Sequence, residues 1–384
     1  MTVAPVVEAR SSGARSAQRW IFSRNGDAAA FVAPTVLAFA LLAVGHGTGL
    51  SSRPVPLWLW FAAILVVDVA HVWTTVFRVY LDPDEVRRRR ALYVTVPILA
   101  YAVGVALHAV RPRAFWMTLA YLAVFHFVRQ QYGWVAIYKR RNRDTAAVDN
   151  VLDTAAIYNA TLFPLLWWHA HLPRSFEWLI QGDFAHGVPD ALVRALHPVH
   201  FAVMGVWAAR QIQRFALERT YNVGKIYVIV TTWACWYVGI VRTDGDFAFT
   251  VTNVFIHGVP YTALLWRYAR RKYAPSARER SPFAAATMGE WIVARGAAVY
   301  LLVVVALAWC EEGLWDQLVW HERQRVFGDA GLRVGGWVLA VVVPLLAVPQ
   351  ATHYLLDGWI WRMGPRNPTL ARDLGLDAVT DRSD

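Results

Sequence analysis

The chain has 384 residues, of which 57% are hydrophobic, 14% aromatic and only 17% charged. That composition, with 20 tryptophans and a mean hydropathy of +0.33, excludes a disordered chain, a coiled coil and a collagen-like fibre. The two cysteines, Cys235 and Cys310, exclude a disulfide scaffold, whereas the net charge of +11 at first suggests a nucleic-acid binder.

In chain order, a polar, Arg-containing segment (1–26) precedes ten apolar runs. They lie at about 28–46, 57–80, 91–110, 114–138, 151–172, 192–212, 224–241, 247–268, 290–310 and 334–360. Each is near or above the roughly 20 residues that a helix needs to cross a bilayer. The fold class this predicts is all-α: a polytopic membrane helix bundle with about ten transmembrane helices and both termini inside. One transmembrane domain would cover 27–362, and 363–384 would form a cytoplasmic tail. The segment 311–333, which opens on Glu311 and Glu312, reads as an interfacial outer helix.

The basic residues fit that topology. With the termini inside, 26 of the 38 Lys and Arg fall on the inner side, including Arg10, Arg15, Arg87–Arg90, Lys139–Arg141, Lys225, Arg278, Arg280 and Arg382. Such a bias marks the cytoplasmic face. Tryptophans such as Trp58, Trp167, Trp291 and Trp359 cluster at span ends, as in an interfacial aromatic belt. No nucleic-acid partner is therefore expected, and an integral location in the bacterial inner membrane is. Cys235 and Cys310 lie within spans and read as small apolar residues.

Ionisable side chains inside spans are costly and default to functional candidates. The second span carries Asp68, His71, Thr75 and Arg78 at spacings of three, four and three, which share one helical face. The fourth span carries His126, Arg129 and Gln130. The eighth carries Asn253, His257 and Tyr261, and the tenth Gln350, His353 and Asp357. At about 1.5 Å rise per residue, the four histidines lie roughly 12–18 Å from the inner ends of their spans, in one layer. Asn159, in the fifth span, has a similar depth. Pro260 and Pro349 sit beside two of the histidines and predict kinks.

Imidazole is the commonest transition-metal ligand, and a non-haem iron site needs two or more imidazoles with a carboxylate. His71, His126, His257 and His353 are the candidate ligands. Asp68 and Asp357 could bind the metal, or could accept a hydrogen bond from a ligating imidazole. Gln130, Asn253, Tyr261 and Asn159 are candidate cofactor- or substrate-orienting groups. A single intramembrane histidine is more often an interhelical hydrogen-bonding residue, so the matched depth of four carries the reading. His197 and His200 are left open, and Arg78, Arg267 and Arg362 read as snorkelling anchors.

This layout, with isolated histidines drawn from several spans into one layer, resembles the membrane non-haem iron oxygenases. The β-carotene-cleaving Brp/Blh type is the nearest in style. The resemblance implies iron, oxygen and a lipid-like substrate, and it covers the helix layout only. The HxxxH and HxxHH boxes of the desaturases and hydroxylases are absent from the sequence. The expected function is a membrane-embedded, metal-dependent oxidoreductase, with non-haem iron as cofactor and a lipid or isoprenoid as substrate. A cytoplasmic electron donor is the expected protein partner. A haem-binding electron carrier with histidine axial ligands and a proton-coupled transporter using Asp68 and Asp357 are the alternatives.

Overall fold

A computed structural model describes residues 18–51, 53–279 and 287–376, with side chains omitted for 274–279. Arg10, Arg15, Arg280 and Arg382 of the basic set, and the side chain of Arg278, lie outside the described residues. The described residues form helices and no strand. The long helices are α1 (Arg24–Thr48), α2 (Leu57–Phe77), α3 (Pro83–Val110), α4 (Pro112–Arg141), α5 (Ala147–Ala170), α6 (Asp190–Ala216), α7 (Val223–Arg242) and α8 (Asp246–Glu279). A short α9 (Met288–Ala294) leads into α10 (Ala297–Trp320), and α11 (Trp337–Leu346) and α12 (Val348–Ile360) complete the set. Eight of the ten apolar runs coincide with one long helix, the 334–360 run with the bent pair α11–α12, and the 290–310 run with α9 and the start of α10.

Seven of these helices are long and apolar enough to cross a membrane, and eight if the bent pair α11–α12 is one span. The two that fall short are α4 and α5. Their polarity comes from side chains that serve the interior, among them His126 and Gln131 on α4 and Asp149 and Asp153 on α5, all buried.

The central helix is α8, which packs against α1, α2, α7 and α9. On one side, α5 lies between α6 and α7; on the other, α12 joins α3 to α4, and α10 covers α2. A Cβ at Gly258 would stand 2.7 Å from Val67 Cγ1 and 2.8 Å from Val67 O. Glycine there lets α2 and α8 approach closely, next to His257 on one helix and Asp68 on the other.

Three sequence expectations change. The helix expected over 290–310 breaks at Arg295–Gly296, where Gly296 has φ +93°, and α10 then runs on to Trp320. Glu311 and Glu312 therefore sit within a helix and do not open an interfacial segment. Trp73 Nε1 donates to Glu311 Oε2 at 2.6 Å. The Asp316 side chain accepts from the Glu322 and Arg323 amides only where the helix ends. The 334–360 run bends by 45° between α11 and α12, beside Pro344 and Pro349, which cannot donate backbone hydrogen bonds; α8 passes Pro260 without a break. Arg78 is no snorkelling anchor. It is 2% exposed, ion-paired to Glu85 at 2.9 Å and stacked over the Tyr268 ring.

A further buried ionic network joins the ends of α4 and α5 to α6 and α7. Lys225 Nζ lies 2.6 Å from Asp144 and 2.8 Å from Asp153. Lys139 also pairs with Asp153, Arg214 with Asp144, and Arg210 with Asp149. Burial by itself would raise the pKa of the Asp144 carboxyl. The hydrogen bond and charge of Lys225, with the charge of Arg214, outweigh burial and hold it below its ordinary value of 3.8.

Candidate metal centre

The four intramembrane histidines come from α2, α4, α8 and α12 and meet at one place. His71, His126, His257 and His353 are all buried, and each offers a ring nitrogen within 4.8 Å of those of the other three. His71 Nε2 and His257 Nε2 are 3.1 Å apart. Ring centroids of neighbouring pairs are 4.5 Å (His126–His353), 4.7 Å (His71–His257) and 5.0 Å (His71–His353 and His126–His257).

The nitrogens divide by role. Thr75 Oγ1 lies 2.8 Å from His353 Nδ1, and Asp357 Oδ2 lies 3.6 Å from His126 Nδ1. The Nε2 atoms of both rings are buried and have no partner among the described residues. Buried polar atoms are almost always satisfied. The Nδ1 atoms of His71 and His257 are also buried without a partner among the described residues, so four unpartnered imidazole nitrogens surround a close Nε2–Nε2 pair, an arrangement that could hold a cation. At metal–nitrogen distances of about 2.0–2.2 Å, two adjacent nitrogens on one ion stand roughly 2.9–3.4 Å apart, from cis-octahedral to tetrahedral geometry. The 3.1 Å pair falls within that range.

The carboxylates stand behind the rings. Asp357 Oδ1 accepts from Tyr261 OH at 2.7 Å and from Trp361 Nε1 at 3.2 Å. Asp68 Oδ1 is 3.8 Å from His71 Nδ1. Both carboxylates therefore lie behind imidazole Nδ1 atoms, at 3.8 Å from His71 and 3.6 Å from His126, beyond hydrogen-bond distance.

Thr75, two turns of α2 beyond Asp68, holds Tyr261 OH at 3.0 Å as well as His353. It is the element of the site whose importance the sequence conveyed least, although it falls on the same helical face. Phe127 is another. Its ring stacks on His257 with centroids 3.5 Å apart and an interplanar angle of 7°. Nothing in the sequence distinguishes it from an ordinary core aromatic.

Gln130 Nε2 donates to the His257 backbone carbonyl at 2.8 Å, tying α4 to α8 at the cluster. Asn253 turns to its own helix, donating to Phe249 O at 3.1 Å. Asn159 is not brought to the histidines. It shares depth with them but faces α6, where its amide donates to His200 O and its carbonyl lies 3.2 Å from His200 Nδ1. Trp233 Nε1 donates to the other nitrogen of His200 at 2.9 Å. His197 Nε2 lies 2.9 Å from Tyr237 OH. Both of these histidines are thus partnered away from the cluster.

A cavity of about 510 Å³ adjoins the cluster between α4 and α12. His126, Gln130, Tyr261 and Asp357 line one part of it, and Leu122, Phe125, Ile137 and Leu264 form apolar wall. Phe125 is 60% and Trp359 40% exposed, so the cavity opens sideways through the helical wall.

Compared with known proteins, the chain matches no protein-family model, no curated protein and no solved structure.

Proposed function

We propose that the protein is a membrane-embedded, metal-dependent oxidoreductase that acts with oxygen on a lipid or isoprenoid, with non-haem iron held by His71, His126, His257 and His353. The observation that carries this reading is the convergence of four buried imidazoles with unpartnered Nε2 atoms on two of them. Iron bound there would supply oxygen activation, because a bundle site of neutral nitrogen donors leaves coordination positions open.

The chain's own residues do the rest. Thr75 holds the Nδ1 side of His353, and the Asp357 carboxylate stands behind Nδ1 of His126, an arrangement that favours Nε2 of both rings as the donor atoms. Phe127 seals one face of His257 against water. The lateral cavity admits an apolar molecule directly from the bilayer and brings it against His126. With ten spans and both termini in the cytoplasm, the cluster lies on the cytoplasmic side of the midplane, within reach of an electron donor from that compartment. Haem suits the site less well. Four imidazoles with centroids 4.5–5.0 Å apart leave no slot for a porphyrin between them.

The test is to load the purified protein with iron in lipid nanodiscs containing a membrane lipid extract and expose it to isotopically labelled oxygen together with a chemical reductant in place of the electron donor. An oxygen-dependent lipid product, absent from the His126→Ala/His353→Ala variant, is the expected result. Oxygen uptake and lipid composition identical to protein-free nanodiscs would refute the proposal.

A further inference from the structure

The cavity beside the histidines runs along α4 from His126 to Arg140 and along α12 to Arg362. These fourteen residues of α4 correspond to roughly 21 Å. The two ends differ in chemistry. The deep end carries the imidazole, the Asp357 carboxylate and the Tyr261 hydroxyl. The mouth carries Arg140 and Arg362, both exposed. Neither guanidinium makes a hydrogen bond or an ion pair with a described residue, as at other exposed arginines of the chain; what sets these two apart is that they line the cavity. The intervening wall is largely apolar. The third arginine of the cavity, Arg129, is engaged: it donates to Tyr158 OH and lies over the Tyr132 ring.

We infer that this cavity seats a single-chain amphiphile with an anionic head, the head held between Arg140 and Arg362 and the chain running inward to the histidine cluster. Two guanidiniums without carboxylate partners at the mouth of an apolar groove complement a carboxylate or phosphate, which they can bind through paired N–H groups. The groove beyond them rewards an apolar chain. A head anchored there sets which carbon lies beside His126, on the order of fifteen carbons from the head for an extended chain over about 21 Å. The inference rests on the proposed function for its meaning as a substrate site, but the binding geometry is independent of the metal.

The experiment uses the full chain in nanodiscs of neutral phosphatidylcholine and measures equilibrium binding of radiolabelled hexadecanoate, hexadecyl phosphate and hexadecanol. At least one of the two anions should bind tenfold or more tighter than hexadecanol; which one does so separates a carboxylate from a phosphate head. Arg140→Gln/Arg362→Gln should weaken the anion at least tenfold while changing hexadecanol less than twofold, which also shows that the groove remains folded. Arg129→Gln should change anion affinity less than threefold. Hexadecanol binding as tightly as both anions, or unchanged anion affinity in the double variant, overturns the inference. Repeating the titration on His126→Ala/His353→Ala keeps the two readings apart. Anion binding retained there supports the head clamp even if no metal is ever found, and loss of anion binding in wild type leaves the metal reading standing.

Discussion

Replacing Thr75 by valine removes one hydroxyl from behind the histidine cluster while nearly conserving shape. In the structure that hydroxyl serves two groups, His353 Nδ1 at 2.8 Å and Tyr261 OH at 3.0 Å, in a position only 5% exposed. Without it His353 Nδ1 loses its hydrogen-bond partner and is left with the Asp357 carboxylate 3.9 Å away, and Tyr261 retains Asp357 alone as a close acceptor. Loss of such an outer partner typically lowers metal affinity 10–100-fold, which is about 1.4–2.7 kcal/mol. A buried nitrogen left unsatisfied costs about 1–3 kcal/mol in stability as well. The assay is a competitive chelator titration of the purified protein, read as the metal dissociation constant. Thr74→Val is the control, because Thr74 Oγ1 donates to the His71 carbonyl of its own helix at 2.6 Å and does not touch a ligand ring. Equal affinity in Thr75→Val and wild type would refute the assignment of Thr75 as a positioning residue. Equal loss in both variants would do the same.

Other predictions concern the wider fold. His200→Ala should retain full metal content, because Asn159 and Trp233 occupy both nitrogens of that ring; metal loss there would show that the centre extends to α6. Lys225→Met strands two buried carboxylates, Asp144 and Asp153, and should destabilise by about 3 kcal/mol, the lower end of the range for a broken buried pair, since Lys139 and Arg214 remain nearby. Thermal unfolding in detergent measures it, and a wild-type midpoint would contradict the network. Gly224→Ala should fold poorly, since its Cβ would stand 1.9 Å from the Tyr138 ring, whose hydroxyl is tied to Asp27 at 2.6 Å; a normal melting profile would show that this contact can relax. Finally, Asp144 has a folded pKa depressed below 3.8, so its contribution is fully present above that value and is lost as pH falls below about 4. Asp144→Asn should be less stable at neutral pH and flatten the acid limb of the stability profile, and an unchanged limb would count against the Lys225 pairing.

Much of this architecture was legible in the sequence, because apolar runs of bilayer length leave few alternatives. The four histidines were legible because helical rise converts residue number into depth, and depth is what they share. Depth does not report azimuth. Asn159 had the right height, yet it turns toward His200, and only packing distinguishes the two faces. Lys225 was read as one more inner-side basic residue. Its burial depends on Asp144 and Asp153; Asp153 and Asp149, four apart on one face of α5, have a spacing that could have suggested an internal pairing surface. Glu311 reads in the sequence as the start of an outer interfacial segment; the indole of Trp73, distant in sequence, supplies the partner that accommodates it, buried, within α10. The stacking of Phe127 on His257 and the opening of the cavity between α4 and α12 are tertiary facts with no local signature.

The central claim is that four imidazoles hold one metal ion. Elemental analysis with X-ray absorption on full-length protein, purified without chelator and reconstituted with ferrous iron, tests it most directly. The account predicts one ion per chain with nitrogen neighbours at roughly 2.0–2.2 Å, lost in His126→Ala/His353→Ala. Substoichiometric metal in the wild type under those conditions, or an ion that survives the double substitution with its nitrogen shell intact, would contradict it.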